Sequence, residues 1–190
     1  MLDIADIPRG VLALDLLIKE AWVEVLSAGT VQGGRYLILF GGDVESTQLA
    51  FAKAEQAAGD ALFDRVCLPW AEQRIGPAIL DGTRREPTRG DSLGMLQASA
   101  APTMIRAVDA ALKGAQVDLV EFRVADGLGG RAIATLWGES YDIEAAIELA
   151  ERTLERGRSD GWSSSVVRNT DPTVRDRLAV GTRFYQEWRG

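Results

Sequence analysis

Among its 190 residues the chain has no histidine and a single cysteine, Cys67. Without imidazole it lacks the usual general base at neutral pH and the commonest metal ligand. Ser-His-Asp catalysis, Cys-His catalysis and histidine-based zinc sites are therefore excluded. Carboxylate or lysine chemistry stays open, but no arrangement of residues points to it. A lone cysteine closes no intrachain disulfide. Its surroundings, Arg65-Val-Cys-Leu-Pro69, read as an apolar strand carrying the thiol as a small hydrophobe. A reactive thiol or a metal ligand is the competing reading.

Positive charge is also short. Lysine and arginine number 21 against 28 acidic residues, a net charge of −7. Nucleic acid wants a basic face, so no nucleic-acid partner is expected, nor an anionic membrane surface. No apolar run approaches the roughly 18–20 residues that span a bilayer. The opening Met1-Leu-Asp-Ile-Ala-Asp is acidic where a signal peptide is basic. A cytosolic protein is expected. Hydrophobic residues make up 46%, enough for a core in one large domain or in two of roughly 90–100 residues each.

The chain repeats itself. Pro8, Asp15, Lys19, Ala21 and Val23 recur as Pro102, Asp109, Lys113, Ala115 and Val117, all displaced by 94, with Glu24 meeting Asp118. From Gly33-Gly34-Arg35 onward the displacement becomes 96, to Gly129-Gly130-Arg131. It holds through Gly42/Gly138, Ala50/Ala146 and Ala54-Glu55/Ala150-Glu151. The second copy thus carries two extra residues ahead of its Gly-rich loop. This predicts a first unit over 1–82, a linker over 83–91 that is charged and bears Gly and Pro, and a second unit over 92–190. The stretch from Arg175 onward has no clear counterpart in the first copy.

The second copy reads most clearly. Ser92–Gln97 is a short strand. Pro102 opens a helix with Met104, Ile105, Val108 and Leu112 on one stripe and an Asp109–Lys113 pair one turn apart. Val117–Val124 is a strand with Val120, Phe122 and Val124 on one face. Arg131–Trp137 is the return strand. Asp142 caps a helix striped by Ile143, Ala146, Ile147, Ala150 and Leu154. A strand near Trp162–Val167 closes the unit. In the first copy the counterparts are a short opening strand at Leu2, a return strand at Tyr36–Phe40, a second helix bearing Leu49, Ala50 and Ala54, and a last strand at Val66–Leu68. Each unit is β-α-β-β-α-β, and the fold class is α+β, with helices over an antiparallel sheet.

Leu93-Gly-Met-Leu, Asp109-Ala-Ala-Leu-Lys113-Gly-Ala115, Gly138-Glu and the alanine-rich helix resemble a bacterial microcompartment shell domain. Two such domains in one chain resemble the tandem, trimer-forming shell proteins. The resemblance spans nearly the whole chain and is stronger in the second copy; the first has no glycine matching Gly94. It implies a homotrimer that mimics a hexamer, a flat tile joined at its edges to other shell proteins, and a central pore for small metabolites. The strand-first order resembles the unpermuted arrangement, which forms a single layer. By position, Thr30, Val31, Gln32, Gly33 and Gly34 in the first copy would line the pore, with Asp126, Gly127, Leu128, Gly129 and Gly130 in the second. Lys19 and Lys113 would lie at the tile edge. The edge arginine common near the family's last strand has no clean match in Pro69-Trp-Ala or Asn169-Thr-Asp. Some tandem members hold an iron–sulfur cluster on a pore-loop cysteine. Neither loop has one here, so no cofactor is expected.

Other readings compete. Gly127-Leu-Gly-Gly130 is a fragment of a phosphate-binding loop, but it joins two strands and lacks the Walker lysine and serine. Asp126 is either a ring of negative charge favouring cations and neutral solutes or a solvated turn aspartate, with Arg35 and Arg131 at the strand starts placed to offset it. The lysine–aspartate pairs are edge contacts or plain helix-surface pairs. A trimeric small-molecule-binding regulatory protein is the alternative to a shell tile. A carboxylate enzyme is the least supported, so the chain is read as no enzyme.

Overall fold

The computed structural model describes residues 1–81, 86–125, 127–156 and 161–183. In chain order the elements are β1 (Leu2–Ile4), α1 (Ile7–Glu20), β2 (Glu24–Val31), β3 (Arg35–Gly41), α2 (Val44–Ala58), β4 (Leu62–Arg65) and α3 (Ile75–Asp81). The second half follows with β5 (Ser92–Ala98), α4 (Ala101–Gly114), β6 (Asp118–Val124), β7 (Ala132–Gly138), α5 (Ser140–Arg156), β8 (Ser163–Val167) and α6 (Pro172–Ala179). Each half forms a four-stranded antiparallel sheet, in the orders β2-β3-β1-β4 and β6-β7-β5-β8. A helix pair packs on each sheet, as expected from the sequence.

Local chemistry sets the helix starts. Asp6 accepts a hydrogen bond from the Arg9 amide at 2.8 Å, and Pro8 occupies the first turn of α1. Asp43 does the same for α2 through the Ser46 amide at 2.9 Å. Those bonds favour the Asp43 carboxylate and lower its pKa. Asp142 does not cap α5. The helix begins at Ser140, and Asp142 lies within its first turn, where negative charge suits the helix dipole.

Two expectations fail for physical reasons. Val120 and Phe122 do not share a face. A bulge between Leu119 and Glu121 sends Leu119 and Phe122 toward the helices, while Val120 packs with Leu93 and Trp137 elsewhere. The first unit has the same bulge at the matching place, between Val25 and Ser27. The last strand of the first unit is β4, Leu62–Arg65, which ends just before the expected Val66–Leu68. Val66 still donates to the Met1 carbonyl at 2.9 Å as the chain leaves the sheet. Cys67 lies just past that point, half-buried.

The units solve one packing problem in opposite ways. At Gly10 in α1 a Cβ would lie 2.5 Å from the Tyr36 Cβ, so the helix approaches β3 only without a side chain. Displaced by 94 and 96, the same two positions hold Met104 and Ala132, both buried in the second core. The large residue has moved from strand to helix with little change in combined volume.

Candidate pore turns and unit junction

Thr30 and Val31 are the last residues of β2 rather than loop. Gln32, Gly33 and Gly34 make the turn into β3, with φ of 86° and 71° at the two glycines. Only glycine adopts such angles without strain. In the second unit the Ala125 amide donates to the Arg131 carbonyl at 2.7 Å across the neck of the longer loop. Gly127, Gly129 and Gly130 all have positive φ. Asp126 lies outside the described residues.

The two turns meet. The Gly129 amide donates to Gln32 Oε1 at 2.9 Å. Arg35, at the start of β3, donates to the Gly130 carbonyl and, at 3.4 Å, to the Ser99 carbonyl. Its guanidinium lies 3.0 Å from the fully buried Asp3 and stacks 4.3 Å above the Phe63 ring. Arg35 is therefore the bolt between the two turns, not a counter-charge in solvent. Its counterpart Arg131 is exposed, and the counterpart of Asp3 is Gln97.

Away from the turns, the first unit clamps α4. The N-cap position, Ala100, has no side-chain acceptor, so Asp64 of β4 reaches across and takes the Thr103 amide at 2.8 Å and its hydroxyl at 2.7 Å. Arg106 donates to the Arg65 carbonyl at 2.7 Å. Beyond β4, the Glu72 amide donates to Asp109 at 2.7 Å. Arg74 donates to the Val117 carbonyl at 2.8 Å and the Leu112 carbonyl at 3.3 Å. The same Arg74 holds the Glu72 carboxyl below its ordinary pKa by hydrogen bonding. Sequence reasoning found none of Asp3, Asp64 and Arg74. Asp64 and Arg74 act on the other copy, and repeat matching cannot see such contacts; Asp3 acts within its own copy on Arg35, where the second copy has Gln97.

The two lysines differ. Lys19 pairs with Asp15 at 2.6 Å and is exposed. Lys113 pairs with Asp109 at 2.7 Å and also donates to the Trp70 carbonyl, so the chain's own connecting segment lies against it. An exposed tryptophan is near each: Trp22, 91% exposed, three residues past Lys19, and Trp70, 80% exposed.

The largest asymmetry is on the first helix of each unit. Ile105 and Leu112 of α4 are 5% and 4% exposed, in a cluster that includes Leu37, Val66, Ile75 and Ala78 of the first half. Their counterparts on α1, Val11 and Ile18, are 50% and 51% exposed. The neighbouring strands differ likewise: β6 is largely buried and β2 largely exposed. A cavity of about 230 Å³ lies beside the junction, lined by Leu39, Phe51, Val66, Cys67, Ile75 and Ile105 among others.

Known proteins share this architecture. The family profile described as "BMC domain" matches residues 1–70 and again 92–170. The bacterial microcompartment shell protein PduT of Citrobacter freundii is 32% identical over 158 residues, covering 83% of this chain and 85% of that protein. A microcompartment protein from Desulfitobacterium hafniense DCB superposes with a TM-score of 0.78 at 27% identity, over 92% of this chain and 96% of that one. A fused permuted hexameric shell protein of the RMM microcompartment shares the fold at 22% identity and a TM-score of 0.57, over 81% of each chain.

Proposed function

The chain belongs to the BMC-domain family and is a structural protein of a bacterial microcompartment shell, and from that premise we propose that three copies close into a ring of six units with a central pore. What supports the ring is the contrast between α1 and α4. Within one chain the first unit covers Ile105 and Leu112; the matching Val11 and Ile18 remain bare until a second unit of another chain covers them. Hydrophobic area exposed on one of two equivalent surfaces is the expected mark of a missing neighbour. A threefold ring supplies that neighbour three times and leaves no such surface open.

In this ring the turns at Thr30–Gly34 and the loop ending at Gly127–Gly130 face the axis alternately, so the pore has threefold rather than sixfold chemistry. Asp126 contributes a threefold set of carboxylates that favours cations and neutral polar solutes over anions. The reading gives the chain a structural and conducting role without catalysis. Lys19 and Lys113 lie at the tile rim, each near an exposed tryptophan, where tiles of the same or related shell proteins meet. The regulatory alternative is not favoured, since the relatives are shell proteins.

The test is the paired substitution Val11→Asp/Ile18→Asp in the whole chain. A trimer that becomes a folded monomer, by solution mass and circular dichroism, supports the ring. An unchanged oligomer contradicts it.

A further inference from the structure

The duplication continues past the sequence match. Asp3 pairs with Asp64 across β1–β4, and Gln97 pairs with Ser163 across β5–β8. The closing strands are therefore displaced by 99. Carried forward, that displacement sets Glu72 on Asp171, Ile75 on Val174 and Ile79 on Leu178. The correspondence is structural too. The Arg74 amide donates to the Glu72 side chain at 3.2 Å, and the Thr173 amide donates to the Asp171 side chain at 2.7 Å. Each acid opens a short helix, α3 in one case and α6 in the other. The segment from Arg175 onward, unmatched by sequence, belongs to a repeated arm.

The first arm shows what such an arm does. It leaves its own sheet and lies along the second unit, beside α4 and β6. It is held by Glu72 on Asp109, Arg74 on the Leu112 and Val117 carbonyls, and Lys113 on the Trp70 carbonyl. The second arm touches its own unit, with Leu178 against Leu93, Val120 and Trp137 and Arg175 5.3 Å from the centre of the Trp137 ring. Its Val174 and Val180 are 42% and 56% exposed.

We propose that the arm Arg168–Val180 crosses onto a second copy of this chain and straps α1 and β2 there, as the first arm straps α4 and β6. This rests on the ring reading and deepens it. The positions it covers are Asp15, Ile18, Lys19 and Val23, the counterparts of Asp109, Leu112, Lys113 and Val117. The Asp171 amide donates to the neighbour's Asp15, and the neighbour's Lys19 donates to the Asn169 carbonyl. Val174 lies where Ile75 lies in the first arm. The arginine clamp is not repeated: Arg74 corresponds to Thr173, too short to reach the two carbonyls. The intermolecular strap is therefore the weaker of the two. It also makes Lys19 a contact between protomers of one ring, where its rim position alone suggests only a contact between tiles.

The experiment places cysteines at Lys19→Cys and Asn169→Cys in the whole chain carrying Cys67→Ser and treats it with a short bis-maleimide. The internal control is Lys113→Cys with Trp70→Cys, which links within one chain. The strap predicts covalent dimers and trimers on a denaturing gel from the first pair and only linked monomers from the control. A ring of normal mass in which the first pair gives no intermolecular product overturns the strap and leaves the ring standing. A chain that is monomeric in solution overturns both. Truncation after Thr170 gives an independent reading: the strap predicts ring dissociation at roughly tenfold or more higher protein concentration, by mass in solution. Unchanged dissociation contradicts it.

Discussion

Helices α1 and α4 descend from one sequence and lie on one fold, yet one is half in water and the other is core. Their intrinsic propensities are not the cause. Both begin with a proline in the first turn, and both carry an acid–lysine pair one turn apart. What differs is the neighbour. The first unit and its arm cover α4, and among the described residues nothing covers the matching face of α1. Comparing the copies separates what a unit needs in order to fold from what it needs in order to assemble. The proline in the first helical turn, the strand bulge and the strand order recur in both. The apolar faces of Val11 and Ile18 have no use inside a single chain.

The sharpest way to break this comparison is to place the same charge on both helices. Ile105→Asp buries a carboxylate without a partner and costs about 5 kcal/mol, enough to abolish the cooperative melt. Val11→Asp leaves the fold intact and changes only assembly. Equal loss of melting temperature in the two variants would erase the distinction. Next comes the bolt between the turns. Arg35→Met removes the guanidinium beside the buried Asp3 carboxylate and costs about 3–4 kcal/mol by denaturant titration, whereas Arg131→Met has little effect on the folded chain. Restoration by a second change, Asp3→Leu, would confirm that the buried charge is the cause.

A smaller effect sharpens the packing contrast. Gly10→Ala crowds Tyr36 and costs about 1–2 kcal/mol. The double variant Gly10→Met/Tyr36→Ala writes the second unit's pair into the first and recovers most of either single loss. Additive losses would show that the exchange is not compensatory. Smallest of all, Asp64→Ala removes the borrowed cap from α4 and lowers stability by about 1 kcal/mol, where Ser163→Ala at the counterpart position has no such effect.

Much of the fold was legible in the residues. Periodicity located the α4 and α5 stripes, and the constant displacement of 94 then 96 exposed the repeat. Three features were not. A bulge shifts strand phase by one residue without any marker in composition, so Val120 was placed on the wrong face. The arm at α6 diverged to the acid at Asp171 and a few apolar positions, too little to match before β8 fixed the register. The bond between Gln32 and Gly129 joins residues 97 apart in different copies, and repeat matching aligns counterparts rather than partners. The glycine turns themselves were found, because positive φ leaves a mark in the sequence.

The most direct test of the threefold ring is the mass of the unmodified chain in solution. The ring predicts a particle of three times the 20.5 kDa chain at micromolar concentration, stable to dilution and without a monomer peak. A monomer, or a dimer in which Val11 and Ile18 stay accessible to solvent, would contradict it.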